Sequence, residues 1–530
     1  MKKALAVLLS MSIVLTLFGC TKAEETKKKK KTKKTKDTEI TETTEVPTTP
    51  EDDPTTSDGS DDPTTNTTAA PDIQTSTNLH SQVDMNTHGC AEIINDDNFI
   101  RVDGINYELN RIRFTTDRYP ELREKVDEFY NDLENRLTQR FEERKASGIS
   151  SDTYYEDQCY ADTYIYRDDS YIFSFIVKTP EDISSFDDGC TSHSYWSETG
   201  EEISILDIIT NYDIFSASLT TLGQKYNIPD ENILSMKDGV KNGTADFALT
   251  YDGLVLFEDY YSVKLPLDQI EEGVDTRYFG AAPEVYFLDF NLDGTLKWDM
   301  DGDGTPEDIW LEPKFENPND SILVTSVIIH VGDEAFEVKD GIWGEFYPQY
   351  GSFYLMKAPD TFYIFMSVGI DEGIEEAGYR YDNGTWTYTG SFEDSTYDHP
   401  YDPQRVRMGS CIGNLGTNYM YSYFDMTDGS GIPKHLGDLF FASSYYLATN
   451  ADLVFTTYDD NGAPADEWKV SARTIIQVLS FDADSNLLYV YVYSRRTDEY
   501  VYASIEMQQD PWSVGGIPVD EAFLGLHYGG

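Results

Sequence analysis

Cationic side chains are scarce in this 530-residue sequence: 40 Lys and Arg stand against 96 Asp and Glu, for a formal net charge of −56. Much of the positive charge is concentrated early, at Lys27 to Lys31, Lys33, Lys34 and Lys36, so the remainder is more acidic still. Such a chain has no electrostatic footprint for a phosphate backbone, which excludes nucleic acid as a partner. Cysteine is rare, at five positions, and the spacings of Cys90, Cys159, Cys190 and Cys411 match no zinc pattern. The seven histidines are scattered, with none paired at ligand spacing. Gly-x-Ser-x-Gly, His-Glu-x-x-His and the P-loop are all absent, which removes the commonest signatures of esterase, metalloprotease and nucleotide chemistry. After residue 18 no apolar run approaches the roughly 18 residues that span a membrane. Carboxylates are so numerous that a glycosidase pair, defined by separation in a cleft, cannot be read from the sequence.

What is present begins with Met1-Lys2-Lys3 and an apolar run from Ala4 to Phe18, then Gly19-Cys20. This is the pattern of a secretory signal, residues 1–20. Leu17-Phe18-Gly19-Cys20 resembles a bacterial lipobox. The resemblance implies cleavage before Cys20, acylation of its thiol, and a chain held to membrane lipid outside the cytoplasm. Residues 21–82 read as a tether. Its lysine block suits anionic head groups or wall polymers. From Asp37 to about Gln82, Thr, Pro, Asp, Glu and Ser leave too little apolar surface to fold, which predicts an extended stalk. In that compartment the four later cysteines can pair in three ways. Cys159 with Cys190, in one strand-rich stretch, is the favoured pair, with free thiols as the alternative.

Periodicity predicts an α+β domain over residues 83–282. Ile100 to Phe114 alternates as a strand does. From Leu122 to about Arg144 the apolar residues fall at helical spacing, with Leu122, Val126, Phe129, Leu133 and Leu137 on one face. Tyr160–Tyr166, a turn at Arg167–Ser170, and Tyr171–Val177 read as a hairpin, as do Phe247–Tyr251, Asp252-Gly253 and Leu254–Phe257. A helix carrying Phe215, Leu219 and Leu222 lies between them. Trp196-Ser-Glu-Thr-Gly200-Glu-Glu-Ile203, Leu206-Asp207-Ile208 and Phe247-x-Leu-Thr-x-Asp-Gly-Leu254-x-x-Phe257, then Tyr261 and Pro266, follow in order. In this, residues 95–282 resemble the extracytoplasmic region shared by lysozyme-sensing membrane anti-sigma factors and the N-terminal part of some peptidoglycan deacetylases. The resemblance implies a sensing or wall-associated module. The family's Gly-Gly-Ala-His turn is replaced here by Gly189-Cys-Thr-Ser-His193, so His193 reads as a solvent-facing loop residue.

Residues 283–465 change character to successive strands of a mostly antiparallel β region, consistent with blade-like β-units. Leu292-Asp-Gly294 reads as a hairpin turn. Residues 466–530 form a meander, Ile475–Phe481, Leu487–Tyr493 and Tyr500–Ile505, similar to the small SH3-like barrels appended to bacterial wall proteins.

The most concentrated motif is Asp299-Met-Asp-Gly-Asp-Gly-Thr-Pro-Glu-Asp308. Asp299, Asp301 and Asp303 alternate, Gly302 and Gly304 permit a sharp turn, Thr305 can offer its carbonyl, and Glu307 or Asp308 can close the shell. A hard cation such as Ca²⁺ takes six to eight oxygens of this kind. The twelfth position of an EF-hand would be Glu but is Trp310, and Ile309-Trp310-Leu311 reads as a departing strand. The motif looks like the calcium loops of integrin-type β-propeller blades; a metal-free acidic turn is the alternative. Together these readings predict a non-enzymatic, lipid-anchored protein that binds or senses a cell-wall polymer or a cationic wall-active protein. A wall-active hydrolase and a structural envelope docking protein are the competing expectations.

Overall fold

The computed structural model describes residues 90–526, apart from 96–99, 103–104, 148–156, 181–187, 260, 280–281, 290–293, 318–319, 343–352, 371–372, 383, 393–394, 397–399, 411–412, 417–419, 438, 460–462, 495–498 and 510. The signal, Cys20 and the tether lie outside the described residues, as do Cys411 and the turn residues 292–293.

The first sheet is built from β1 (Ala91–Asn95), β2 (Ile100–Val102), β3 (Ile105–Phe114), β4 (Asp157–Asp168), β5 (Ile172–Pro180) and β6 (Asp188–Trp196), in the order β1-β3-β4-β5-β6 with β2 on β3. β3 and β4 are parallel, so a crossover must join them. The helix Pro120–Ser147 stands in that connection. Its residues Leu122, Val126, Tyr130, Leu133, Leu137 and Phe141 are buried against Phe173, Phe175 and Val177 of β5. Ile176 points the other way, into a cluster with Ala248, Val255 and Phe257. That second face is covered by β7 (Asp246–Leu249), β8 (Gly253–Glu258) and β9 (Tyr261–Pro266). The helix Tyr212–Lys225 buries Phe215, Leu219 and Leu222, and both expected hairpins are present.

Residues 286–392 form two antiparallel sheets. One runs β10 (Tyr286–Asp289), β15 (Phe353–Lys357), β16 (Phe362–Ile370), β17 (Gly373–Tyr381), β18 (Trp386–Phe392); the other runs β11 (Leu296–Trp298), β12 (Glu307–Asn317), β13 (Asp320–Val331), β14 (Glu334–Val338). Their inward residues, among them Ile309, Leu311, Val327, Ile329, Leu355, Ile364 and Tyr379, form one core. Period-2 alternation leaves the opposite face of the first sheet free for a third layer. There Tyr354, Met356, Tyr363 and Phe365 meet Val406, Met408, Phe424 and Met426.

The turn expected at 292–294 falls mainly outside the described residues, and the strands on either side of it, β10 and β11, belong to different sheets. Two expectations are corrected. The C-terminal meander Ile475–Asp482, Leu487–Ser494, Glu499–Gln508 is part of a larger sheet reaching back to Ser395–Thr396; among the described residues its path is open and no closed barrel forms. Cys190 is a free thiol. β5 lies between the strands that carry Cys159 and Cys190, and two strand spacings amount to roughly 9–10 Å, beyond disulfide reach.

The α+β part is tied to distant sequence. Glu92 on β1 is buried between Arg113 and Arg405. Tyr401 Oη donates to the Ala91 carbonyl at 3.2 Å, and the Tyr423 hydroxyl donates to the Ile93 carbonyl. Tyr251 and Ala282 share the core of the following sheets.

At this junction Asp168 is fully buried. Its Oδ1 accepts from Cys90 Sγ at 2.8 Å and its Oδ2 from Ala91 N at 3.0 Å. Burial raises its pKa from 3.8 to about 7, outweighing these hydrogen bonds. The folded chain therefore holds this proton more tightly than the unfolded chain. The contribution is fully present below about pH 4 and is lost as pH rises through about 7. We expect the stability of Asp168→Asn, relative to wild type, to improve by on the order of a few kcal/mol between pH 4 and 8. Urea midpoints across that range measure it; a difference that stays flat with pH would contradict it.

Candidate metal centre and the cleft beside it

β11 and β12 pair with Trp298 opposite Glu307, so residues 299–306 are the loop of a hairpin. Sequence dictates its shape. Gly302 and Gly304 take φ of 77° and 88°, which costs little only without a Cβ. The aspartates then fold the loop on their own backbone. Asp299 Oδ1 accepts from Gly302 N at 2.7 Å and Oδ2 from Gly304 N at 2.9 Å. Asp301 Oδ1 accepts from Asp303 N at 3.0 Å, Asp303 Oδ1 from Thr305 N at 2.7 Å, and Glu307 Oε2 from Met300 N at 2.7 Å.

Carboxylate oxygens of Asp299, Asp301, Asp303 and Glu307 lie within 4.8 Å of one another. Oxygens that bind one Ca²⁺ at 2.3–2.6 Å can be at most roughly 5 Å apart, so this spread fits a single coordination sphere. Four carboxylates so close repel one another, and the N–H donors offset only part of that. Of the residues expected from sequence, Asp299, Asp301, Asp303 and Glu307 converge, and Thr305 lies in the loop. Asp308 does not join them. Successive strand residues face opposite sides, and Asp308 stands opposite Lys297, 3.8 Å from its Nζ.

The loop rims a cleft of about 910 Å³ lined by residues of β9, β10 and β11, of the turn before β8 and of the loop itself, among them Tyr251, Asp252, Lys264, Tyr286, Trp298 and Asp299. The cleft leaves little local signature in the sequence, because its walls come from segments separated by turns and only the fold joins them. Lys264, between Val263 and Leu265 in a strand, gave the one weak signal. Its Nζ is 2.8 Å from Asp252 Oδ2 and 3.0 Å from Asp289 Oδ1. Burial opposes its charge, but the two carboxylates outweigh burial and raise its pKa. Asp289 is thus committed to a lysine. Trp298 Nε1 donates to Tyr286 Oη at 2.5 Å, which fixes the indole in the wall.

His193 is not a loop residue. It stands in β6, half-buried, with Nδ1 3.0 Å from Glu202 Oε1 and its ring 4.4 Å from that of Phe129.

No protein-family model and no curated protein sequence matches the chain. Among solved structures it is similar to a DUF3298 family protein from Pseudomonas aeruginosa PAO1. The identity is 12% and the TM-score 0.26, over 37% of this chain and 100% of that one. It is also similar to a DUF3298 family member from Bacteroides fragilis NCTC 9343, at 11% identity and a TM-score of 0.23, over 35% of this chain and 94% of that one.

Proposed function

We propose that the protein is a non-enzymatic binding protein of the cell envelope, anchored outside the cytoplasm through acylated Cys20. On this reading it loads Ca²⁺ at Asp299, Asp301, Asp303 and Glu307, with the Thr305 carbonyl, and binds a cell-wall polymer or a cationic wall-active protein. The observation that carries it is the convergence of four carboxylates within 4.8 Å on a loop at the rim of a large cleft. A bound Ca²⁺ would neutralise part of the loop's charge and pin the hairpin that forms one wall. The resemblance of residues 95–282 to lysozyme-sensing regions supports a protein ligand, and the net charge of −56 favours a basic one. The blade-like character expected of residues 283–465 and the module boundary at 282 belong to the same proposal.

The chain is titrated with lysozyme at physiological salt, beside an unrelated basic protein of similar charge. Saturable binding of lysozyme alone supports recognition. Equal binding of both, lost together as salt rises, would leave only screened surface charge and overturn it. For the anchor, Cys20→Ser is expected to abolish fatty-acid labelling and release the chain from membranes. Continued labelling would contradict it.

A further inference from the structure

We propose that the cleft beside the acidic loop receives a lysine-type alkylammonium side chain presented by the protein ligand. This rests on the reading that the chain binds a cationic protein, and names where and how.

The cleft is of ligand size, and its lining is unbalanced in charge. Besides Asp299, which the metal takes, its carboxylates are Asp252, Asp268, Glu271, Glu284 and Asp289, against Lys264, Lys297 and Lys357. Two of the lysines are already committed. Lys264 is held by Asp252 and Asp289, and Lys297 lies 3.5 Å from Asp268 and 3.8 Å from Asp308. Lys357 is half-buried, donates to the Ala358 carbonyl at 2.7 Å, and has its pKa lowered by burial. Glu271 and Glu284 are exposed and in no ion pair among the described residues, and Glu284 lies close enough to Lys357 to favour its charge. An anionic ligand would meet Glu271 unmatched.

Part of the lining is aromatic and held in place. The rings of Tyr251 and Tyr286 are 5.6 Å apart, and those of Tyr286 and Trp298 5.4 Å apart. Ring faces attract ammonium groups, and the methylene stem of a lysine packs on the same rings. Tyr251 and Tyr286 are buried, and the Tyr251 ring already faces the Arg167 guanidinium, so the partly buried Trp298, in a cleft that also carries Glu271 and Glu284, is the ring offered to that combination of charge and apolar stem. Ordering of the wall before binding limits the entropic cost.

Calorimetry on the purified full chain, with Ca²⁺ present, tests this with trilysine, with the same peptide acetylated on every side-chain nitrogen, and with a glucosamine tetramer. We expect saturable one-to-one binding of trilysine and none of the acetylated peptide. Glu271→Gln with Glu284→Gln should weaken binding by about tenfold, or 1.4 kcal/mol, with the melting temperature unchanged. Asp484→Asn with Glu506→Gln, equally exposed but on the C-terminal sheet, should leave it unchanged. Equal losses in the two double variants would reduce the effect to surface charge and overturn the site. Binding of the acetylated peptide, or of the glucosamine tetramer in place of trilysine, would also overturn it. Lysozyme binding that persists without any trilysine binding would sink this site while leaving the proposed function standing.

Discussion

Replacing Arg167 with methionine is expected to destabilise the folded chain by about 3–5 kcal/mol, the cost of removing one partner from a buried ion pair. Arg167 and Asp169 are both fully buried, with Arg167 Nε 2.6 Å from Asp169 Oδ2. Arg167 Nη1 also donates to the Tyr278 carbonyl at 2.7 Å, and its guanidinium lies 5.0 Å from the centre of the Tyr251 ring. The pair sits at the turn between β4 and β5, where Asp169 Oδ1 accepts from Tyr171 N at 2.7 Å and Ile172 N at 2.8 Å. Methionine keeps much of the volume and leaves the Asp169 charge without its counter-ion. Adding Asp169→Asn should recover part of the loss, since the amide can still accept from the turn. Urea denaturation measures both variants. A loss below about 1 kcal/mol, typical of an exposed pair, would show that solvent reaches this position. Tyr251 also lines the cleft, so the same variant should weaken ligand binding there.

The second large effect separates two neighbours that sequence could not. Ca²⁺ at one hundred times its dissociation constant should stabilise the native chain by about 2.7 kcal/mol. Asp299→Ala should abolish that response, because it removes a ligand and the acceptor for both Gly302 N and Gly304 N. Glu307→Gln should weaken it strongly. Asp308→Asn should leave it intact, because Asp308 faces Lys297 across the hairpin. Thermal melts with and without Ca²⁺ read all three. An Asp308→Asn chain that no longer responds to Ca²⁺ would mean that the loop rearranges around the ion.

Local patterns were legible and long-range pairings were not. The helix face from Leu122 to Leu137, the turn at Asp252-Gly253 and the hairpin that departs at Ile309 follow from spacing and turn chemistry. The Asp loop was legible because all its side chains come from one short stretch, except for the choice between Glu307 and Asp308, which depends on strand parity. Residues 292–294 have turn composition, yet β10 and β11 join different sheets, and composition does not choose a strand's partner. The meander at 475–505 resembled a closed unit because its extension to Ser395–Thr396 comes from residues far earlier in the chain. The cleft and the Glu92–Arg405 contact were invisible for the same reason.

The most direct test of the account is calorimetric titration of the metal-free full chain with Ca²⁺, together with elemental analysis of the protein as purified. The account predicts one saturable site per chain, absent in Asp299→Ala and retained in Asp308→Asn. It would be contradicted by no binding heat, no Ca²⁺ in the purified protein, and a melting temperature unchanged by EDTA.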